Sequence, residues 1–267
     1  MQNFKRLDNR RTFKPLKVCF IFNLRWINTT SYMESNISHG GKICFLNTEA
    51  TTMWSDQVDM FQRALDTLEV SWDVFDVFAH RFPDEIHIYR GAVICGSSDN
   101  LSPNPPSYSA QLFALIRQCE NIPQFRLLGV CYGAQAIAMA LGGVISQCAS
   151  PVCGIASLEF TADMYFLVNR LGVAATPCSI ISTHSQCITC LPRDSILLAK
   201  SAYTPNECFL VGRYRNLLGL QSHPEYTSEI VMSRLGCRAD GDADCMIAFV
   251  RAFFDGSIAT QQALRDV

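Results

Sequence analysis

The chain has 267 residues, 49% of them apolar and 17% charged, with a formal net charge of -2. That composition supports a sizeable core, excludes a wholly disordered chain, and makes no electrostatic case for nucleic acid. The length allows one large domain or two small ones.

Residues 1–39 read as an extension. They show no sustained period, and "NTTSYMESNISHGG" is loop-like. Up to Met33 they hold Lys5, Arg6, Arg10, Arg11, Lys14, Lys17 and Arg25 against the single acid Asp8. A basic, acid-poor leader of this kind suits a disordered tail or a mitochondrial presequence. The stretch "VCFIFNL" is too short to cross a bilayer, so no membrane span is expected. The thirteen cysteines are odd in number. Most lie in apolar runs (Cys19, Cys44, Cys95, Cys208), where a thiol behaves as a small hydrophobe, and a reducing, cytoplasmic setting is expected.

A strand–helix rhythm starts at Lys42. "KICFLNT" reads as a buried strand. "SDQVDMFQRALDTLEV" puts Val58, Phe61, Leu65 and Leu68 on one helical face, with Ser55 or Asp56 as cap. "SWDVFDVF" and "GAVICG" read as strands, and "YSAQLFALIRQCE" as a helix burying Leu112, Leu115, Ile116 and Cys119. "RLLGV" is a strand and "AQAIAMAL" a helix. Alternation of this kind predicts an α/β domain, with an open, mostly parallel sheet and helices on both faces. Between 154 and 222 the runs "GIASLEF", "MYFLV", "CSIIST", "SILLAKSAY", "CFLVGRY" and "LLGLQ" predict closely spaced strands, in an antiparallel extension or a flanking sheet. Residues 227–256 read as helical. No linker follows residue 40, so one domain is expected over 40–256, with 257–267 as a tail.

The chemistry centres on "GVCYGAQ". A strand that ends in Gly-x-Cys-x-Gly and runs into a helix has the form of a nucleophile elbow, with Cys131 on the turn. Gly129 and Gly133 supply small volume where strand and helix approach. The helix N-terminus favours a thiolate, and the Tyr132 N–H is placed to meet an oxyanion. Spacing alone also fits an inert buried thiol. The partners come 92 residues later, in "LLGLQSHPEYT", where His223 follows an apolar strand and Glu225 lies two residues on. A histidine can take the thiol proton, and a carboxylate can fix its tautomer.

Together "GVCYGAQ" and "QSHPE" resemble the class I (triad) glutamine amidotransferases. "ALGG" at 140–143, "ICGSSDN" and "STHSQCITCLP" are similar to supporting stretches of that family. The likeness runs from about residue 42 to 235. It implies a flavodoxin-like fold with an antiparallel extension. It implies a Cys131–His223–Glu225 triad that cleaves a γ-glutamyl amide through a thioester, and an oxyanion hole from the backbone N–H groups of Tyr132 and Gly96 (or Ser97). It further implies substrate contacts from Gln135, Ser97, His184 and Ser185. No metal or cofactor is implied. The partners implied are a small γ-glutamyl substrate and, in one version, a synthase subunit that takes the ammonia.

Two features depart from the family pattern. Gln186 stands where an aspartate is frequent, and the proline-rich loop "GSSDNLSPNPPSY" resembles stand-alone members such as γ-glutamyl peptidase-like proteins. A catalytically silent relative of the same fold is the alternative from outside enzymology.

Other patterns are weaker. The single CxxC of "HSQCITC" lacks the second pair that a structural zinc needs. "RADGDAD" lacks a full calcium-loop ligand set and reads as a helix–helix connection. No phosphate-binding GxxxxGK[ST] loop occurs. Trp26, Trp54 and Trp72 are scattered, and Tyr226, beside the triad, either lines the pocket or is a plain loop aromatic.

Overall fold

The structure, a computed structural model, describes residues 41–174, 178–236 and 241–256. The expected leader 1–39 and tail 257–267 lie outside the described residues. Ten strands occur among them: β1 (Lys42–Asn47), β2 (Ser71–Asp76), β3 (Gly91–Ile94), β4 (Arg126–Val130), β5 (Val144–Ser157), β6 (Glu159–Phe160), β7 (Ser179–Cys190), β8 (Ile196–Lys200), β9 (Cys208–Val211) and β10 (Leu217–Leu220). Six helices join them: α1 (Gln57–Ala64), α2 (Ser109–Glu120), α3 (Tyr132–Ala140), α4 (Ala162–Arg170), α5 (Ser228–Leu235) and α6 (Asp244–Phe254).

Eight strands form one sheet in the order β2-β1-β3-β4-β10-β9-β8-β6. The first five are mutually parallel, in the flavodoxin-like pattern. β9, β8 and β6 continue the sheet antiparallel. β5 and β7 form a separate antiparallel ribbon, with an irregularity between Gln147 and Val152. Both arrangements anticipated for the close-set strands are therefore present.

The central strands are buried on both faces, which is why they read as continuous apolar runs. Their side chains alternate. Ile43, Phe45, Val93, Leu128 and Val130 enter one core layer with Phe61 of α1, Met164 of α4 and Phe249 of α6. Cys44, Leu46, Ala92, Ile94 and Leu127 enter the other with Leu112 of α2 and Ile137 of α3. The thiols of Cys44, Cys95 and Cys208 are fully buried, and burial raises the pKa of each. Cys153 is disulfide-bonded.

Three expectations need correction. "MYFLV" is the interior of α4 and not a strand. The Thr161 hydroxyl accepts the Met164 N–H and caps the helix, and Met164, Leu167 and Val168 turn to the core at helical spacing. The helix expected over 55–70 is shorter, with α1 ending at Ala64 and a 3-10 turn following at 66–68. Asp56 does not cap α1 through its side chain; its Oδ2 accepts from Arg234 instead. Residues 144–153, left without an element in the sequence, are strand through pairing with β7, a tertiary choice that local pattern does not encode. Among the described residues, no helix is long and apolar enough to cross a membrane.

Candidate active site

β4 ends at Val130, and the chain turns at Cys131 with φ 51° and ψ -105° before entering α3. A non-glycine residue at such a φ is held there by its surroundings. The Cys131 N–H donates to the Leu220 carbonyl of β10 at 2.7 Å, and its carbonyl accepts the Gln135 N–H. The flanking glycines are sterically required. A Cβ on Gly129 would lie 2.4 Å from the Gly133 carbonyl oxygen, and one on Gly133 would lie 2.3 Å from that of Ile94. Strand, helix and the neighbouring β3 thus close on one another only without side chains at these positions.

His223 follows β10 by three residues. Its N–H donates to the Ile181 carbonyl of β7 at 2.7 Å, which ties the loop to the ribbon. Nδ1 lies 2.8 Å from Glu225 Oε1, and both side chains are almost wholly buried. Burial by itself lowers the imidazole's affinity for a proton. The Glu225 carboxylate and, after it, the nearby Cys131 sulfur outweigh it and push the His223 pKa up to about 10. Cys131 Sγ is 3.6 Å from the Thr183 carbonyl oxygen. Glu225 Oε2 has no partner among the described residues.

Gly96, just past β3, packs beside this group. A Cβ there would come within 3.0 Å of His223 Cε1 and 3.7 Å of the Cys131 Cβ. Its carbonyl accepts from Thr48 Oγ1 and Gln57 Nε2. Tyr132 opens α3, so its N–H belongs to the first helical turn, where donors lack intrahelical partners. The phenol itself is buried in the second core layer.

A cavity of about 350 Å³ opens over the cysteine, lined among others by Gly96, Ser97, Gln135, His184, Ser185 and His223. Every side chain singled out in the sequence thus borders it or, for Glu225, stands behind His223. Their hydrogen bonds are not all directed at a ligand. Gln135 Nε2 donates to the Gln186 carbonyl at 2.8 Å and to Gln221 Oε1. Ser97 Oγ donates to the Thr48 carbonyl, and Ser185 Oγ to Asn100 Oδ1. His184 is buried, with Nδ1 3.5 Å from Cys148 Sγ and Nε2 unpartnered among the described residues. Burial, then the nearby His223, lowers its pKa to about 4, so it is a neutral ring at pH 7.

Glu49 was not picked out in the sequence. Glu49 accepts from the Ser98 N–H and hydroxyl through Oε2 and from the Thr51 N–H through Oε1, and so orders the loop after β3. The available signal was an acid two residues past a strand's carboxyl end, which is weak. Gln186, where the family frequently has aspartate, accepts from the Leu101 and Ser102 N–H groups and donates to the Ser102 carbonyl, so it fastens the proline-rich loop. Of the CxxC thiols, Cys187 is buried and Cys190 exposed.

A family model described as glutamine amidotransferase class-I matches residues 62–233. γ-Glutamyl peptidase 3 of Arabidopsis thaliana is 32% identical over 165 residues, covering 60% of this chain and 65% of the relative. GMP synthase [glutamine-hydrolyzing] of Porphyromonas gingivalis is 27% identical over 183 residues, 68% of this chain and 34% of the synthase. The chain therefore spans somewhat under two thirds of the first relative and about a third of the second. A glutamine amidotransferase of Thermotoga maritima shares the fold, with a TM-score of 0.62 at 15% identity over 83% of this chain and 99% of that one. One from Methylobacillus flagellatus does so with a TM-score of 0.59 at 16% identity, over 82% and 92%. An elbow cysteine on a flavodoxin-like sheet, matched by the family model over more than half of the sequence, makes this chain a member of the class-I glutamine amidotransferase family.

Proposed function

We propose that this chain hydrolyses a γ-glutamyl amide bond, with Cys131 as nucleophile, His223 as proton carrier and Glu225 as its orienter. The observation that carries the reading is the 2.8 Å His223–Glu225 pair set against the elbow cysteine. The sulfur attacks the γ-carbonyl carbon, and the oxyanion is met by the backbone N–H groups of Tyr132 and Gly96. Collapse breaks the C–N bond as His223 protonates the leaving nitrogen. Water, losing a proton to His223, then attacks the thioester, and C–S cleavage, with that proton returned to the sulfur, restores the thiol and releases glutamate.

The γ-glutamyl peptidase relatives support a stand-alone hydrolase acting on γ-glutamyl peptides, including glutathione-like conjugates. The GMP synthase relatives support a second version, in which glutamine is split and a partner subunit takes the ammonia. Purified protein incubated with glutamine, glutathione and γ-glutamyl dipeptides separates them. Glutamate release from the peptides favours the first, and release from glutamine alone favours the second. Cys131→Ala is expected to abolish either. Wild type and Cys131→Ala equally inert on all three, with and without cell extract, would point to a silent member of the family.

A further inference from the structure

His223 is the first layer of a stack. The Tyr226 ring lies parallel to the imidazole, with centroids 4.1 Å apart and an angle of 6°. Trp54 stacks on Tyr226 in turn, at 4.9 Å and 3°. The Arg234 guanidinium covers the indole at 5.0 Å and is itself held by Asp56, at 2.7 Å. Three separate segments therefore converge: the turn before α1, the loop after β10, and the end of α5. Tyr226 is buried. Burial, followed by the Glu225 charge, pushes its hydroxyl well above the usual value, so the ring facing the imidazole is neutral. A neutral phenol presents a negative π-face, which attracts a cation placed over it.

We propose that Tyr226 is a positioning residue for His223. Its ring holds the imidazole in the plane that meets Glu225 and Cys131 and favours the imidazolium, while Trp54, clamped by Arg234 and Asp56, holds the tyrosine. The idea rests on the proposed role of His223 as proton carrier. The ionisable groups that face His223 are Glu225 and Tyr226 from its own loop, Cys131 from the start of α3, His184 from β7 and Glu207 from the turn before β9. Glu225 acts at the ring edge through its hydrogen bond to Nδ1, whereas Tyr226 acts on the ring face, so the contribution of the stack is separable.

The test uses the full chain and iodoacetamide as the probe, and needs no γ-glutamyl substrate. The rate of Cys131 alkylation at pH 7 is followed by peptide mapping. The His223 titration midpoint is read from ¹⁵N-imidazole NMR, assigned with His223→Gln. Tyr226→Leu is expected to lower the midpoint by about one unit, the size of a desolvated cation–π contact, and to slow alkylation through loss of the ring's placement. Tyr226→Phe, which keeps the ring, should rescue both to within about twofold, and Trp54→Leu should fall between. Far-UV circular dichroism and the urea midpoint establish that each variant is folded. A folded Tyr226→Leu with the wild-type His223 midpoint would overturn the proposal, as would a Tyr226→Phe as slow as Tyr226→Leu. If Tyr226→Leu does not fold, Trp54→Leu decides, and an unmoved midpoint there overturns it. A shifted midpoint in a protein that cleaves none of the γ-glutamyl compounds supports the stack and rejects the substrate reading alone.

Discussion

Glu225 has one oxygen on His223 and one without a partner among the described residues, in a setting with almost no solvent. In the proposed reaction its charge orients the ring and stabilises the imidazolium. Glu225→Gln keeps the shape but removes the charge and can fix the wrong tautomer. It is expected to lower kcat about a thousandfold or more with KM little changed. Steady-state kinetics on whichever γ-glutamyl compound proves active would show this, and a loss confined to KM would contradict it. Gly96→Ala probes the other side of the imidazole. The added Cβ would sit 3.0 Å from Cε1, so the ring must shift by a few tenths of an ångström. Activity is expected to drop about tenfold to a hundredfold, because a displacement of this order spoils near-attack geometry. The urea midpoint should stay near wild type; a large loss of stability would make Gly96 a packing residue instead. His223 and Glu225 were legible because they lie two apart after a strand. Glu49 and Gln57 were not, because each meets a backbone group of the loop after β3, 49 and 39 residues away.

At the scale of elements, the β4–α3 unit depends on its two glycines. Gly133→Ala drives a Cβ to 2.3 Å from the Ile94 carbonyl oxygen, and that backbone belongs to a fully buried strand. Helix propensity favours alanine, but the clash decides the sign. The variant is expected to lose about 3 kcal/mol or more in urea unfolding, or to yield little folded protein. A neutral Gly133→Ala would show that α3 can lift off β3. The same competition between local and tertiary terms explains α4. The five apolar residues of "MYFLV" fit a strand and a helix equally, and Thr161 with the i, i+3, i+4 burial of Met164, Leu167 and Val168 selects the helix. In β5 the preference runs the other way, since its outer half is held by β7 and by nothing in its own pattern.

Over the whole molecule, the two buried histidines give stability opposite pH limbs. His184, with its folded pKa lowered from 6.5 to about 4, binds a proton in the unfolded chain that the folded chain refuses. Stability therefore falls as pH drops from about 6.5 toward 4, by on the order of 3 kcal/mol. His223, raised to about 10, behaves in reverse. Its contribution is complete below the unfolded value and is lost as pH rises through the folded one. Urea unfolding at pH 4.5, 7 and 9.5 tests both limbs. His184→Gln should narrow its stability gap to wild type on going to pH 4.5, and His223→Gln should narrow its gap at pH 9.5. Curves that stay parallel to wild type would show that neither ring titrates in this way.

The sequence by itself determined the parallel α/β core and the elbow. Both follow from short-range rules: continuous apolar runs for strands buried on two faces, and glycines where a turn must be tight. It also put the histidine and the carboxylate within one loop. Only the tertiary structure decided the rest. Sheet order brings Cys131 and His223 together because β4 and β10, far apart in the chain, are hydrogen-bonded neighbours. Residues 144–153, the first part of β5, are strand through long-range pairing with β7. Trp54, one scattered aromatic in the sequence, becomes part of the wall behind His223 because distant segments meet there. Contacts of that kind depend on how separate elements pack, and residue spacing along the chain does not record them.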